Sequence, residues 1–147
     1  MNEIRIFTIG FTQKTAEQFF TVIMDAGVRR ILDVRLNNSS QLAGFARCQD
    51  LPYFLKTICG IDYVHRPDLA PTKEILEAFK KQKGEWAVYE RDFRHLISQR
   101  AIHKLMADEL RNGDCLLCSE PTPEHCHRRL VAEHLKSKLG RIEICHL

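Results

Sequence analysis

Between Cys118 and Arg129 the chain reads CSEPTPEHCHRR, placing two thiols, two imidazoles, two carboxylates and two guanidiniums within one short stretch. Thiols and imidazoles at such spacing serve either nucleophilic catalysis or the coordination of a soft metal ion. Cys126, His127 and Arg128 fall where a helix is expected to begin, and exposed backbone N–H groups there favour negative charge. A thiol at that position is expected to have a lowered pKa, which makes Cys126 the candidate nucleophile or redox thiol. His127 or Glu120 is the matching proton carrier, with Cys118 a further thiol of the same loop. Arg128 opposes the helix dipole unless an anion offsets it, so it is assigned to substrate binding.

The same stretch supports a second chemistry. Cys115, Cys118, Cys126 and His127 superficially offer four zinc ligands. Residues three apart on a strand face opposite sides of a sheet, about 10 Å apart, so Cys115 is assigned to the core. A three-ligand set of Cys118, Cys126 and His127, with Glu120 beside it, stands as the alternative.

Positioning these groups requires a frame, and the frame is legible as alternating strand and helix. Ile4 to Ile9 is β-branched and aromatic up to Gly10, the pattern of a buried strand. Thr15 and Gln18 have capping-box spacing, and the helix they open should close at Gly27. A second strand is predicted over Arg30 to Val34, then a long loop from Leu36 to Cys48. Asp50 is expected to cap a helix reaching Cys59 and closed by Gly60, before a third strand over Ile61 to His65. A helix over Thr72 to Lys83 follows, then helical spacing from Trp86 to Ile97 and again from Ile102 to Leu110, which fits two helices or one bent helix. Cys115 to Ser119 is the fourth strand, Arg128 to Leu139 a helix ended by Gly140, and IEICHL the last strand. This order predicts a doubly wound α/β fold: a parallel sheet of about five strands with helices on both faces.

Open parallel sheets bind ligands beyond the carboxyl ends of their strands. That rule adds Gly10 and Thr12, Asp33 and Arg35, and Arg66 to the candidates, independently of their chemistry. Asp33 following Ile31 and Leu32 is costly to bury unless Arg35 pairs with it, so a catalytic role and a structural ion pair both fit. Arg35, Arg66 and Arg128 with Gly10 and Thr12 are the expected substrate contacts. Tyr53, Tyr63, Trp86 and Tyr89 are expected in the core or at its rim, and His95, His103 and His134 on solvent-facing helix surfaces.

Bulk properties narrow the class. The 147 residues suit one domain spanning the chain, and the 44% apolar and 28% charged content is that of a globular protein. A net charge of +3, spread without a basic run, permits a small anionic ligand or nucleic acid and demands neither. The start of the chain lacks a secretory layout and no stretch suits a membrane helix, so a cytoplasmic location without membrane partners is expected, with the six cysteines reduced. Neither a dinucleotide fingerprint nor a phosphate loop is present, so no cofactor is named. Oligomeric state is open.

At these residues the chain resembles the bacterial and archaeal family called domain of unknown function 488. The resemblance rests on TIG at Thr8 to Gly10, DVR at Asp33 to Arg35, GIDY at Gly60 to Tyr63, and the pattern L-C-x-E-x-x-P-x-x-C-H-R at Leu117, Cys118, Glu120, Pro123, Cys126, His127 and Arg128. Family members typically continue Thr-Ile-Gly with His-Ser; this chain has Phe11 and Thr12, so a role for that histidine would be lost here. The resemblance implies the fold and the site more than a reaction. Three functions remain open: an enzyme acting on an anionic, phosphate-bearing substrate, a metal-binding protein, and a non-catalytic nucleic-acid-binding module.

Overall fold

A computed structural model describes residues 3–39 and 43–147; part of the predicted Leu36 to Cys48 loop, residues 40–42, lies outside the described residues. Five strands, β1 (Ile4–Gly10), β2 (Arg30–Asp33), β3 (Asp62–His65), β4 (Asp114–Cys118) and β5 (Ile142–His146), form one all-parallel sheet in the order β3-β2-β4-β1-β5. The doubly wound α/β fold is therefore as expected.

Each face of the sheet buries its own core. Ile6, Leu32, Val34, Leu116 and Cys118 point to α4 (Trp86–Gln99), α5 (Ile102–Met106) and α6 (His127–Leu139). Phe7, Ile9, Ile31, Cys115 and Leu117 point the other way, to α1 (Ala16–Ala26) and the segment containing α2 (Leu51–Phe54). The alternation follows from the two-residue period of a strand. It puts Cys115 and Cys118 on opposite faces, as the spacing required.

The helices begin and end largely for the reasons the sequence offers. Thr15 and Gln18 form the reciprocal capping box, and α1 ends at Gly27, whose φ of 83° suits glycine. Thr72 caps α3 (Lys73–Lys80) by accepting from the Ile75 N–H. Asp50 differs: it sits at the start of α2 but its side chain makes no capping bond, and after Phe54 the helix widens into a π-helical turn over Leu55–Cys59 before Gly60. The ambiguous stretch after Trp86 is two helices, separated at Ala101, which is forced to a φ of 52°.

The strand order decides where a ligand can enter. β2 leads outward to edge strand β3, whereas its neighbour β4 leads across β1 to β5. Their outgoing connections diverge, so the carboxyl ends of β2 and β4 open a crevice between them.

Candidate metal centre

In that crevice lies a cleft of about 260 Å³, with Arg35, Leu36 and Asn37 from the end of β2 on one side and Cys118, Ser119 and Glu120 from the end of β4 on the other. α3 contributes Leu76, Phe79 and Lys80, and Tyr89 of α4 lines it as well. The floor is Cys118, Cys126 and His127.

These three are brought together by the turn from β4 into α6. Cys118 is the last residue of β4, and Cys126 and His127 are the N-cap and first residue of α6. Their Sγ, Sγ and imidazole nitrogen atoms all lie within 4.8 Å of one another, and all three residues are buried. His127 Nε2 lies 2.6 Å from the Val34 carbonyl oxygen, which can only accept, so Nε2 carries the proton and donates it. The ring therefore presents the lone pair of Nδ1, 3.4 Å from Cys118 Sγ.

The electrostatics of the two thiols invert the expectation from sequence. Burial pushes the Cys118 thiol up, but hydrogen bonding from Cys126 and from the Ser119 and Glu120 backbone, with the Arg128 charge, outweighs it and holds Cys118 below the ordinary thiol value. Burial and the neighbouring Cys118 raise Cys126 well above it, in spite of its place at the start of α6. The more acidic thiol is thus Cys118, not Cys126.

The arginines expected to clamp substrate are both buried and hydrogen-bonded within the protein. Arg128 is wholly buried, with Nε donating to Thr8 Oγ1 at 3.1 Å and Nη1 to the Glu120 carbonyl at 2.7 Å. It pins the Cys118–Cys126 loop over β1 and does not line the cleft. Gly10 makes this approach feasible, since a Cβ there would come within 1.6 Å of the Glu120 carbonyl oxygen. Arg35 is paired with Asp33 through two bonds of 2.8 Å, also donates to the Ala46 carbonyl at 2.7 Å, and lies over the Phe11 ring. Phe11 thus packs on a guanidinium.

Asp33 is fully buried and also accepts from Tyr63 Oη at 2.5 Å. Burial raises its pKa, and the bonds and charge of Arg35 with the Tyr63 hydroxyl more than reverse that, leaving Asp33 below the usual carboxylate range. It is not among the residues that line the cleft. Arg66 turns away, to Asp68 and Glu109. Thr12 is exposed, and its contribution is a backbone N–H donated to the Ser119 carbonyl at 3.1 Å. Glu120 does line the cleft, bonded to Lys80.

Several participants were not legible beforehand. Lys80, Leu76 and Phe79 enter because α3 crosses the mouth of the crevice, which no local signal in α3 announces. Tyr89, buried as expected, also forms cleft wall, while Trp86 stacks on His125 with ring centroids 5.1 Å apart. Tyr53 is exposed, against the expectation for it. His103 and His134 are half-buried and face each other, ring centroids 5.5 Å apart, whereas His95 is exposed as expected.

A family model described as Domain of unknown function DUF488 matches residues 15–135. The chain belongs to this family. No curated protein and no solved structure matches the chain. The match runs from the start of α1 into α6, so it takes in the second, third and fourth strand ends and the Cys118–His127 turn. Among the described residues no helix is long and apolar enough to cross a membrane.

Proposed function

We propose that this DUF488 chain holds a transition-metal ion, most simply zinc, on Cys118 Sγ, Cys126 Sγ and His127 Nδ1, and uses it for chemistry on a small molecule in the cleft. The observation that carries the reading is the convergence of three soft donor atoms within 4.8 Å at buried positions. The donor set suits zinc: two sulfurs and an imidazole nitrogen are its preferred ligands, and hard cations prefer oxygen. The support around the donors suits it too, because a ligating histidine ordinarily donates its second ring N–H to a carbonyl, as His127 does to Val34. All three donors line the cleft, so the coordination position they leave open faces it.

A metal with three protein ligands and one open position acts as a Lewis acid and lowers the pKa of bound water. The protein's own groups supply the rest. Arg128 fixes the loop by holding Glu120's carbonyl and Thr8. The Glu120 carboxylate on the cleft wall can accept or deliver a proton, with Lys80 holding it in place. Leu76, Phe79 and Tyr89 exclude water from one side.

Elemental analysis of protein purified without chelator tests the reading. About one equivalent of zinc is expected, falling below about a tenth in the Cys118→Ser/Cys126→Ser double variant. Wild-type protein that stays below a tenth of an equivalent after incubation with zinc sinks it.

A second reading, direct nucleophilic catalysis by Cys118, is favoured by its depressed pKa and its contact with His127. It replaces Cys126 as the nucleophile suggested by the sequence. Under this reading iodoacetamide labels Cys118 ahead of Cys126 in metal-free protein near neutral pH; preferential labelling of Cys126 contradicts it.

A further inference from the structure

The cleft does not stop at Lys80. A second hollow of about 490 Å³ shares Leu36, Asn37, Leu76 and Lys80 with it and continues to Lys73, Glu77 and Lys81. The two hollows adjoin across α3 through these shared residues, and together they make a groove with Cys118, Cys126 and His127 in its inner part. Lys73, Leu76, Glu77, Lys80 and Lys81 recur at helical i, i+3, i+4, i+7 and i+8 spacing, so one stripe of α3 makes its outer wall. Lys73 to Lys80 spans about 10 Å along the helix axis.

The groove has a chemical gradient. Its middle is apolar, with Leu36, Leu76, Phe79 and Tyr89. Its outer end is cationic: Lys73 and Lys81 approach the same oxygen of Glu77, at 4.0 and 3.3 Å, so two ammonium groups share one carboxylate. Lys80 is matched by Glu120. The surplus positive charge therefore lies in the outer hollow, whose lining does not include the sulfur ligands.

We infer that this groove binds an elongated organic anion, with an apolar body against Leu76, Phe79 and Tyr89, a terminal carboxylate or phosphate at Lys73 and Lys81, and its opposite end presented to the open metal position. The inference rests on the proposed metal centre for the inner end only. It restores the anionic substrate class expected from sequence, with α3 lysines in the place of Arg35 and Arg128. Exposed lysines act on an anion through screened charge, so they select the terminal group without dominating affinity.

The test uses cobalt(II)-loaded protein and three hydroxamates of equal chain length that end in a carboxylate, a phosphonate or a methyl group. Binding is read from the shift of the cobalt absorption bands. The anionic probes should bind about three- to tenfold more tightly than the methyl-ended one at low salt. Lys73→Ala/Lys81→Ala should remove that preference and leave the methyl-ended probe unchanged. Which anion gains more distinguishes carboxylate from phosphate substrates. Equal affinity for all three, or a preference that survives the double variant, overturns the inference. A second arm needs no metal: octanedioate should slow iodoacetamide labelling of Cys118 in metal-free protein, and slow it less in the double variant. Absence of cobalt bands would count against the metal centre while this arm still decides the groove; labelling unaffected by octanedioate, or slowed equally in the double variant, refutes the groove.

Discussion

A guanidinium removed from water must be met by acceptors or a counter-charge, and the two buried arginines are met differently. Arg128 has neutral acceptors, Thr8 Oγ1 and the Glu120 carbonyl, so its charge remains uncompensated by a bonded carboxylate and acts on the Cys118 sulfur above it. Arg35 has Asp33, and the pair is closed by Tyr63 and Asn38. Asp33→Asn leaves the Arg35 charge buried without its partner and should cost about 3–5 kcal/mol in denaturant unfolding. The pH dependence has a definite sign. Asp33 is depressed in the folded chain, so it contributes stability above its unfolded pKa of roughly 3.9, and that contribution is lost as pH falls towards and through the folded value. The variant should show a shallower acid limb in its stability-versus-pH curve; an unchanged limb and a loss below about 1 kcal/mol would mean the pair carries little.

The elements differ in how strongly their sequence dictates them. α1 carries its own boundaries, since Thr15, Gln18 and Gly27 satisfy backbone groups at both ends. The break between α4 and α5 carries none: Ala101 adopts a left-handed conformation that an L-residue enters at a cost of about 1 kcal/mol or more. Ala101→Gly should therefore stabilise the chain by about 1 kcal/mol, read as a raised denaturation midpoint; a loss would show that the Ala101 methyl packs against something that holds it. This break could not be predicted because the helical spacing is apolar on both sides, and tertiary packing of Phe93, Ile97 and Ile102 into one core imposes the corner. Asp50 fails as a cap for a related reason: its backbone is helical, with φ −109° and ψ −36°, which turns its carboxylate from the N–H groups it was expected to serve.

At the scale of the molecule, the strand and helix order and the CSEPTPEHCHRR turn were legible because each rests on local chemistry: alternation, caps, and residue types at fixed spacing. The position of β4 between β1 and β2 was not, because strand pairing is a long-range matter on which periodicity is silent. That insertion creates the crevice, aims Cys118 at α6, and lets α3 close one side. It also sets the surroundings of Arg35 and Arg128, the first on the cleft wall and the second outside it. Both sit at strand or helix ends, and both are buried and bonded within the protein, Arg35 to Asp33 and Arg128 to Thr8. Cys118, Cys126 and His127, by contrast, were expected near one another and do converge, since a strand end and a helix start joined by one short loop must lie close together.

The account stands on those three side chains sharing one ion. X-ray absorption at the zinc edge of the loaded protein measures it directly, through the identity and distance of the atoms around the metal. Two sulfurs at about 2.3 Å and a nitrogen at about 2.0–2.1 Å, with a light atom completing the shell, are predicted, and one sulfur should vanish in Cys126→Ser. A shell of nitrogen and oxygen alone, or a sulfur count unchanged by Cys126→Ser, would contradict the centre.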